Sequence, residues 1–237
     1  MPYLFQRKLM QVLPGQADES TRTLSSVSNE GHYVSLRPFI KAAKDQEEFP
    51  FESCFAGFNK SCIVSKIDEK TTKQTFLFDI HSNRVLGIPL QDAPLDTYWT
   101  TWVSGDIEER GTIHPNGPEN EGIKFIELWQ PIKAETYLSK DNFLVGSTDS
   151  TSRSITLKMD SEQYYGIVVI VGDVVQGLLH KKKAKDISVL RCVVDKDTLR
   201  FKKYEIKFGE DLMKFPIEVP SSITVGSFIN GWEIIES

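Results

Sequence analysis

The stretch TYWTTWVSGDIEERGTIHPNGPENEGIKFIELWQP, Thr97–Pro131, holds three of the chain's four tryptophans. Its alternation predicts a strand over Tyr98–Val103, an acidic turn region over Gly105–Gly117, and a second strand over Ile123–Trp129. In that second strand Phe125, Glu127 and Trp129 share one face, with Ile126 and Leu128 on the other. The whole reads as the last hairpin of a first β domain.

Toward the N-terminus the period of two continues. Leu4–Val12 is an opening strand closed by Pro14-Gly15, and Thr21–Val27 with His32–Ile40 flank the turn Ser28-Asn29-Glu30-Gly31. Lys41–Glu48 reads as a solvated loop. Phe49–Gly57 is aromatic on odd positions, and Ile63–Ile67 and Thr75–Ile80 continue the series, the latter with Phe76, Phe78 and Ile80 on one side. Short strands at this spacing predict an antiparallel sandwich or barrel.

Downstream, Gly146–Ser152 (GSTDSTS) has the composition of a linker, so the chain divides into residues 1–145 and 146–237. Ile155, Leu157 and Met159 then alternate with polar neighbours, and Tyr164–Val171 is apolar enough to be buried on both faces. Leu178–Lys185 is followed by Ile187–Val194 and Leu199–Phe208, which pair across Asp195–Asp197. The alternation slips at Lys202-Lys203, which predicts a bulge. Gly209–Phe215 reads as a short helical turn, and Asn230-Gly231 is a strong hairpin dipeptide. A faint echo links the halves: Arg22 and Arg153 each precede a strand-starting tyrosine, Tyr33 or Tyr164, by eleven positions. The expected fold is all-β, two tandem antiparallel barrels.

Of 237 residues, 40% are hydrophobic and 26% charged, the composition of a chain that buries a real core. A net charge of −5 argues against nucleic acid, which calls for a concentrated cationic surface. Cys54, Cys62 and Cys192 are too few for a zinc tetrahedron and read as reduced, packed thiols. The N-terminal run is broken by Arg7 and Lys8, and no membrane-spanning or targeting segment is expected.

Several blocks, in order, carry a resemblance: TLSSVSNEGHYVSLRPF (Thr23–Phe39), FPFESCFAG (Phe49–Gly57), W-x-x-W-x-SG from Trp99 to Gly105 with EE-x-G after it, ELWQP (Glu127–Pro131), RSITLK (Arg153–Lys158) and VQG (Val175–Gly177). Together they resemble the yeast Hri-one protein family over nearly the whole chain. The resemblance implies two lipocalin-like β domains, a location in cytoplasm and nucleus, and no assigned activity. It also implies a partner, a casein kinase I of the Hrr type, and an association with the endoplasmic-reticulum translocation machinery.

No residue pattern predicts a catalytic, cofactor or metal site. His32, His81, His114 and His180 lie in four separate segments without metal-ligand spacing. Glu108 and Glu109 point to opposite faces if they sit in a strand and are solvated if they sit in a turn. Neither a G-x-S-x-G elbow nor a G-x-G-x-x-G cradle occurs. Gly166, Gly172 and Gly177 read as strand bends. Trp99, Trp102 and Trp129 leave two readings open, a packed barrel interior or an apolar ligand pocket. An inward Arg37 or Arg153 would suit an acidic ligand head, or would pair with a core carboxylate. His180–Lys185 (HKKKAK) reads as a lysine-rich loop or edge, with a nuclear-import patch or a site for acidic partners as the alternative. Ser147, Ser150 and Ser152, and Ser20 or Thr21, are candidate phosphorylation sites for the kinase. The expectation is a non-enzymatic interaction protein, with a carrier of a small apolar molecule as the alternative.

Overall fold

The computed structural model describes residues 2–59, 63–88, 94–114, 120–132, 153–195, 197–219 and 223–237. Over the described residues the protein is all-β, with two antiparallel sheets of ten and seven strands and few short helices. The first sheet contains β1 (Tyr3–Val12), β2 (Leu24–Val27), β3 (His32–Pro38), β4 (Phe51–Phe58), β5 (Ile63–Lys66), β6 (Thr71–Phe76), β7 (Ile80–His81), β8 (Leu95–Thr101), β9 (Ile107–Ile113) and β10 (Ile123–Ile132). Their order is β5-β6-β8-β9-β10-β1-β2-β3-β4-β7. The sheet curls, so that Tyr33 of β3 reaches the Leu77 carbonyl beyond β6 at 3.1 Å and the Asp79 amide bonds the Ala56 carbonyl of β4.

Three boundaries differ from the sequence reading. The acidic stretch after Gly105 is a strand, β9, so Thr97–Pro131 is a three-stranded meander and not one hairpin. The strand expected over Thr75–Ile80 splits: β6 ends at Phe76 and the chain re-enters the sheet at Ile80. A short helix, α1 (Ser82–Leu86), follows; the His81 imidazole accepts from the Asn83 amide at its start, and Gly87, with φ of 72°, ends it.

The second sheet contains β11 (Ser154–Asp160), β12 (Tyr164–Val171), β13 (Val174–Lys181), β14 (Ile187–Val194), β15 (Phe201–Phe208), β16 (Phe228–Ile229) and β17 (Trp232–Glu236), in the order β15-β14-β13-β12-β11-β17-β16. The expected bulge is present: Arg191 pairs with Ile206 and Val193 with Lys202, and Lys203 has a positive φ of 47°. Asn230 and Gly231, with φ of 50° and 81°, make the β16–β17 turn. Both echo segments form antiparallel hairpins, β2–β3 and β11–β12. His180–Lys185 ends β13 and turns into β14. The division expected at 145/146 lies outside the described residues, as do Cys62, Ser147, Ser150 and Ser152.

One apolar layer joins the sheets. Leu4, Leu24, Val34, Leu36, Cys54 and Ala56, on the outer face of the first curl, pack with Ile167, Val169, Val174, Leu178 and Val189 of the second. Two buried polar links cross it. Gln176 donates to the Leu24 and Val34 carbonyls at 3.2 and 3.1 Å, and Arg191 donates to Leu36 at 2.8 Å and to Gln176 at 2.8 Å. At one end Glu236 accepts from Ser28, Ser154 and the Glu30 amide, with the His32 imidazole 3.1 Å away.

The other face of the second sheet is filled. Trp232 is fully buried, stacks on Phe215 with centroids 5.6 Å apart, and donates to the Lys214 carbonyl at 2.8 Å. Gly166 and Gly177, read from sequence as bends, leave room for these rings: a Cβ on Gly166 would lie 2.7 Å from Trp232, and one on Gly177 2.8 Å from Phe215.

Candidate functional site

Strand alternation sends the odd-numbered residues of β3, β8, β9 and β10 to the inside of the first curl, together with Glu52, Ser53 and Phe55 of β4, whose register shifts near its start. There they surround a cavity of about 690 Å³. Its walls are aromatic, from Phe5, Tyr33, Phe55, Phe76, Trp99 and Trp129. Trp99 and Trp129 stack with centroids 6.3 Å apart, and Phe76 lies 6.0 Å from Trp99. The lining extends to the exposed Asn29 and Glu30 of the β2–β3 turn. A volume of this size suits a small organic molecule.

Charge is buried in the same place. Arg7, in phase with Phe5 on β1 and 1% exposed, donates to Glu127 at 2.5 Å, to Glu52 at 2.9 and 2.6 Å and to Glu19 at 2.8 and 3.2 Å. Arg37 donates to Glu52 at 2.9 Å and to Glu127 at 2.7 and 3.3 Å, and its guanidinium lies over the rings of Phe55 and Trp129 at 4.9 and 5.7 Å. Burial alone would pull the Arg7 pKa down, but Glu127, Glu52 and Glu19 outweigh it and raise it. Burial pushes Glu52 up, yet its bonds to Arg7 and the charge of Arg37 bring it down to about 2. His81 is held neutral, at about 4, by burial and by Arg37 and Arg84.

Glu109 stands apart. It sits directly across from Glu127 in the β9–β10 register, is 5% exposed, and accepts from the Trp129 indole at 2.9 Å. Burial first, and Glu127 second, push its carboxyl up to about 8, so it carries its proton at neutral pH. Because that pKa exceeds the unfolded value, the folded chain holds a proton that the unfolded chain releases. The stability from this proton is full below about 4.5 and is lost as pH rises through about 8. Glu109→Gln is therefore expected to be more stable than wild type by about 1–3 kcal/mol at pH 9 and to lose that advantage at pH 5. Urea unfolding at the two pH values measures it; a difference that does not change with pH would refute the buried proton.

The structure assigns the sequence candidates as follows. Glu108 and Glu109 do point to opposite faces, with Glu108 bonding Arg110 at 2.6 Å outside, but Glu109 is buried and not solvated. Trp99 and Trp129 line the cavity, whereas Trp102 is exposed in the β8–β9 turn. Arg37 points inward and pairs with carboxylates; Arg153 lies before β11 and does not line the cavity. The four histidines sit apart: His32 by Glu236, His81 capping α1, His114 by the Asn120 carbonyl and His180 against Tyr165. Cys54 and Cys192 are buried thiols pushed up to about 12 by burial. Thr21 is buried within the charge cluster, bonded to Arg7, Glu19 and Thr23, so among the two hydroxyls after Asp18 only Ser20 is accessible. Arg7, Glu19 and Glu52 were not visible as a site in the sequence. The available signal was phase, since Arg7 and Glu127 occupy the same faces as Phe5 and Trp129, where an unpaired charge is not tolerated.

A protein-family model described as "Protein HRI1" matches residues 3–236. Curated relatives described as Protein HRI1 include those of Vanderwaltozyma polyspora, 39% identical over 249 residues, and Kluyveromyces lactis, 37% identical over 244 residues. Each alignment spans 100% of this chain and 99% of the relative. Among solved structures, a crystal structure of uncharacterized protein YLR301w from Saccharomyces cerevisiae matches with a TM-score of 0.89 and 34% identity, covering 100% of this chain and 98% of that one.

Proposed function

From the premise that the chain belongs to the HRI1 family, we propose that it is a non-enzymatic binding protein whose ten-stranded half carries a small, largely apolar molecule in a lipocalin-like cup. One observation supports this reading above others. The two sheets are built by the same alternation, yet the free face of the second is filled by Trp232 and Phe215 while that of the first encloses about 690 Å³ between aromatic rings. Protein interiors normally close to the density of organic crystals. A space of this size, with polar groups placed at a few points, has the form of a ligand site.

The test is native mass spectrometry of the protein purified from its own cells, followed by calorimetric titration with a neutral probe, 1-naphthylmethanol. A stoichiometric adduct, or one-site binding of the probe, is expected. Neither adduct nor probe binding would remove the carrier reading.

A second reading, of a protein that docks a casein kinase I, draws on the outer surface and is compatible with the first. It is favoured by the β8–β9 turn, where Trp102 is 45% and Val103 97% exposed, a pairing of large apolar groups in water that suits a contact surface. In this reading the location in cytoplasm and nucleus and the association with the translocation machinery rest on the family resemblance alone. Loss of kinase co-purification from Trp102→Ser with an unchanged melting temperature is the expected result, and retention would set this surface aside.

A further inference from the structure

This inference rests on the cup reading and adds the charge of the occupant. We infer that the cup selects a molecule with an apolar body and one positively charged nitrogen, an amine or quaternary ammonium, seated beside Glu109 against the Trp99–Trp129 pair.

The charge inventory points this way. Two guanidinium groups, Arg7 and Arg37, face four carboxyl groups, Glu19, Glu52, Glu109 and Glu127. Among the described residues lining the cavity, Arg37 is the sole arginine or lysine, and Glu52 and Glu127 already occupy both of its terminal nitrogens. His81 lines the cavity as a neutral ring. An anionic head would meet Glu52, Glu109, Glu127 and, at the rim, Glu30, and would find among the lining cations only the Nε of Arg37, whose guanidinium charge is already shared by Glu52 and Glu127. A cation would meet a carboxyl surplus.

The aromatic geometry agrees. The Arg37 guanidinium already lies over Phe55 and Trp129, so these walls hold one cation by ring quadrupole, and Trp99, which lines the cavity beside them, offers a further ring to a second. Glu109, which lines the cavity, is placed to be its counter-ion, with the Trp129 indole and the Thr97 hydroxyl as its present hydrogen-bond partners.

A proton must leave for this to happen. The groups facing Glu109 are Glu127 from β10, Arg37 from β3 and Thr97 from β8, with Arg7 of β1, Glu52 of β4 and His81 of β7 bordering the same cluster. Burial and Glu127 keep Glu109 protonated, and Arg37 is too far committed to ionise it. Bringing a protonated amine alongside gives an ammonium–carboxylate pair and releases one proton to solvent. Affinity for the amine therefore rises with pH up to about 8.

Three probes of one frame test this by isothermal titration calorimetry at pH 7: 1-naphthylmethylamine, 1-naphthylmethanol and 1-naphthoic acid. The amine is expected to bind at least about tenfold tighter than the alcohol, and the acid more weakly than both. Repeating the amine titration in two buffers of different ionisation enthalpy should show proton release. Glu109→Gln and Trp99→Leu should each cut the amine-to-alcohol ratio to about threefold or less. Equal affinities for the three probes overturn charge selection and leave the cup in place. Tightest binding of the acid also overturns it and makes Arg37 the head-group site. Absence of binding by all three removes the cup reading itself.

Discussion

Arg7→Met is expected to lower folding stability by about 3–5 kcal/mol, because removing one side of a buried ion cluster strands the other. Methionine nearly matches the arginine stem in length, so the packing loss is small and the charge dominates. Arg7 alone holds Glu19, Glu52 and Glu127 together, and its side chain is wholly buried. Without it, among the described residues, Arg37 remains as the cation paired with Glu52 and Glu127. In a chain of 237 residues the loss corresponds to a fall in Tm of about 6–20 °C. The deficit has a pH signature. Glu52 is held at about 2 in the folded state, so its contribution is present above about 4.5 and is lost as pH falls toward 2. In the variant that contribution falls to what Arg37 alone supplies, so the gap from wild type is full at pH 7 and narrows as pH falls from about 4.5 toward 2. Urea unfolding at pH 7 and pH 3 measures both. A gap under about 1 kcal/mol at pH 7, the size of a surface pair, would show that the cluster is solvated.

Much of this architecture is legible in the order of residues because strands write their own period. Asn230-Gly231 made its turn, the slip at Lys202-Lys203 made its bulge, and Tyr164–Val171 is buried on both faces. What misled was a strand that does not look like one. Ile107–Ile113 is charged on three successive positions, Glu108, Glu109 and Arg110, and acidic residues are depleted from strands. Its outward charges pair with each other, and its inward one is neutralised by a proton, so burial became tolerable. The cluster was invisible for another reason. Arg7 meets Glu19, Glu52 and Glu127 at separations of 12, 45 and 120 positions, and no local period encodes such pairings. The hollow was equally out of reach: alternation says which residues face inward, but whether their rings meet depends on how far the sheet curls.

The same curl sets up the second large effect, which concerns how the two halves share stability. Trp232→Ala removes a fully buried indole, its stacking on Phe215 and its bond to the Lys214 carbonyl, and is expected to cost about 3–5 kcal/mol through lost burial and the cavity left behind. Of the three remaining tryptophans, Trp99 and Trp129 lie in the first sheet and Trp102 in its β8–β9 turn. Their fluorescence thus reports on one half of a protein damaged in the other. Each aliphatic side chain of the layer between the sheets contributes roughly 1.5–3 kcal/mol, and Ile167, Val169, Val174, Leu178 and Val189 would all be exposed if the first sheet left. Gln176 and Arg191 would lose their carbonyl partners in the same step. Separation would therefore forfeit about as much as the 5–15 kcal/mol that holds a typical domain folded. The expected outcome is a single transition, with the tryptophan midpoint falling by the same amount as the far-ultraviolet circular dichroism midpoint. A fluorescence midpoint that stays at the wild-type value while the dichroism splits in two would mean that the halves fold as independent units, and that the layer between them is a weak contact despite its burial.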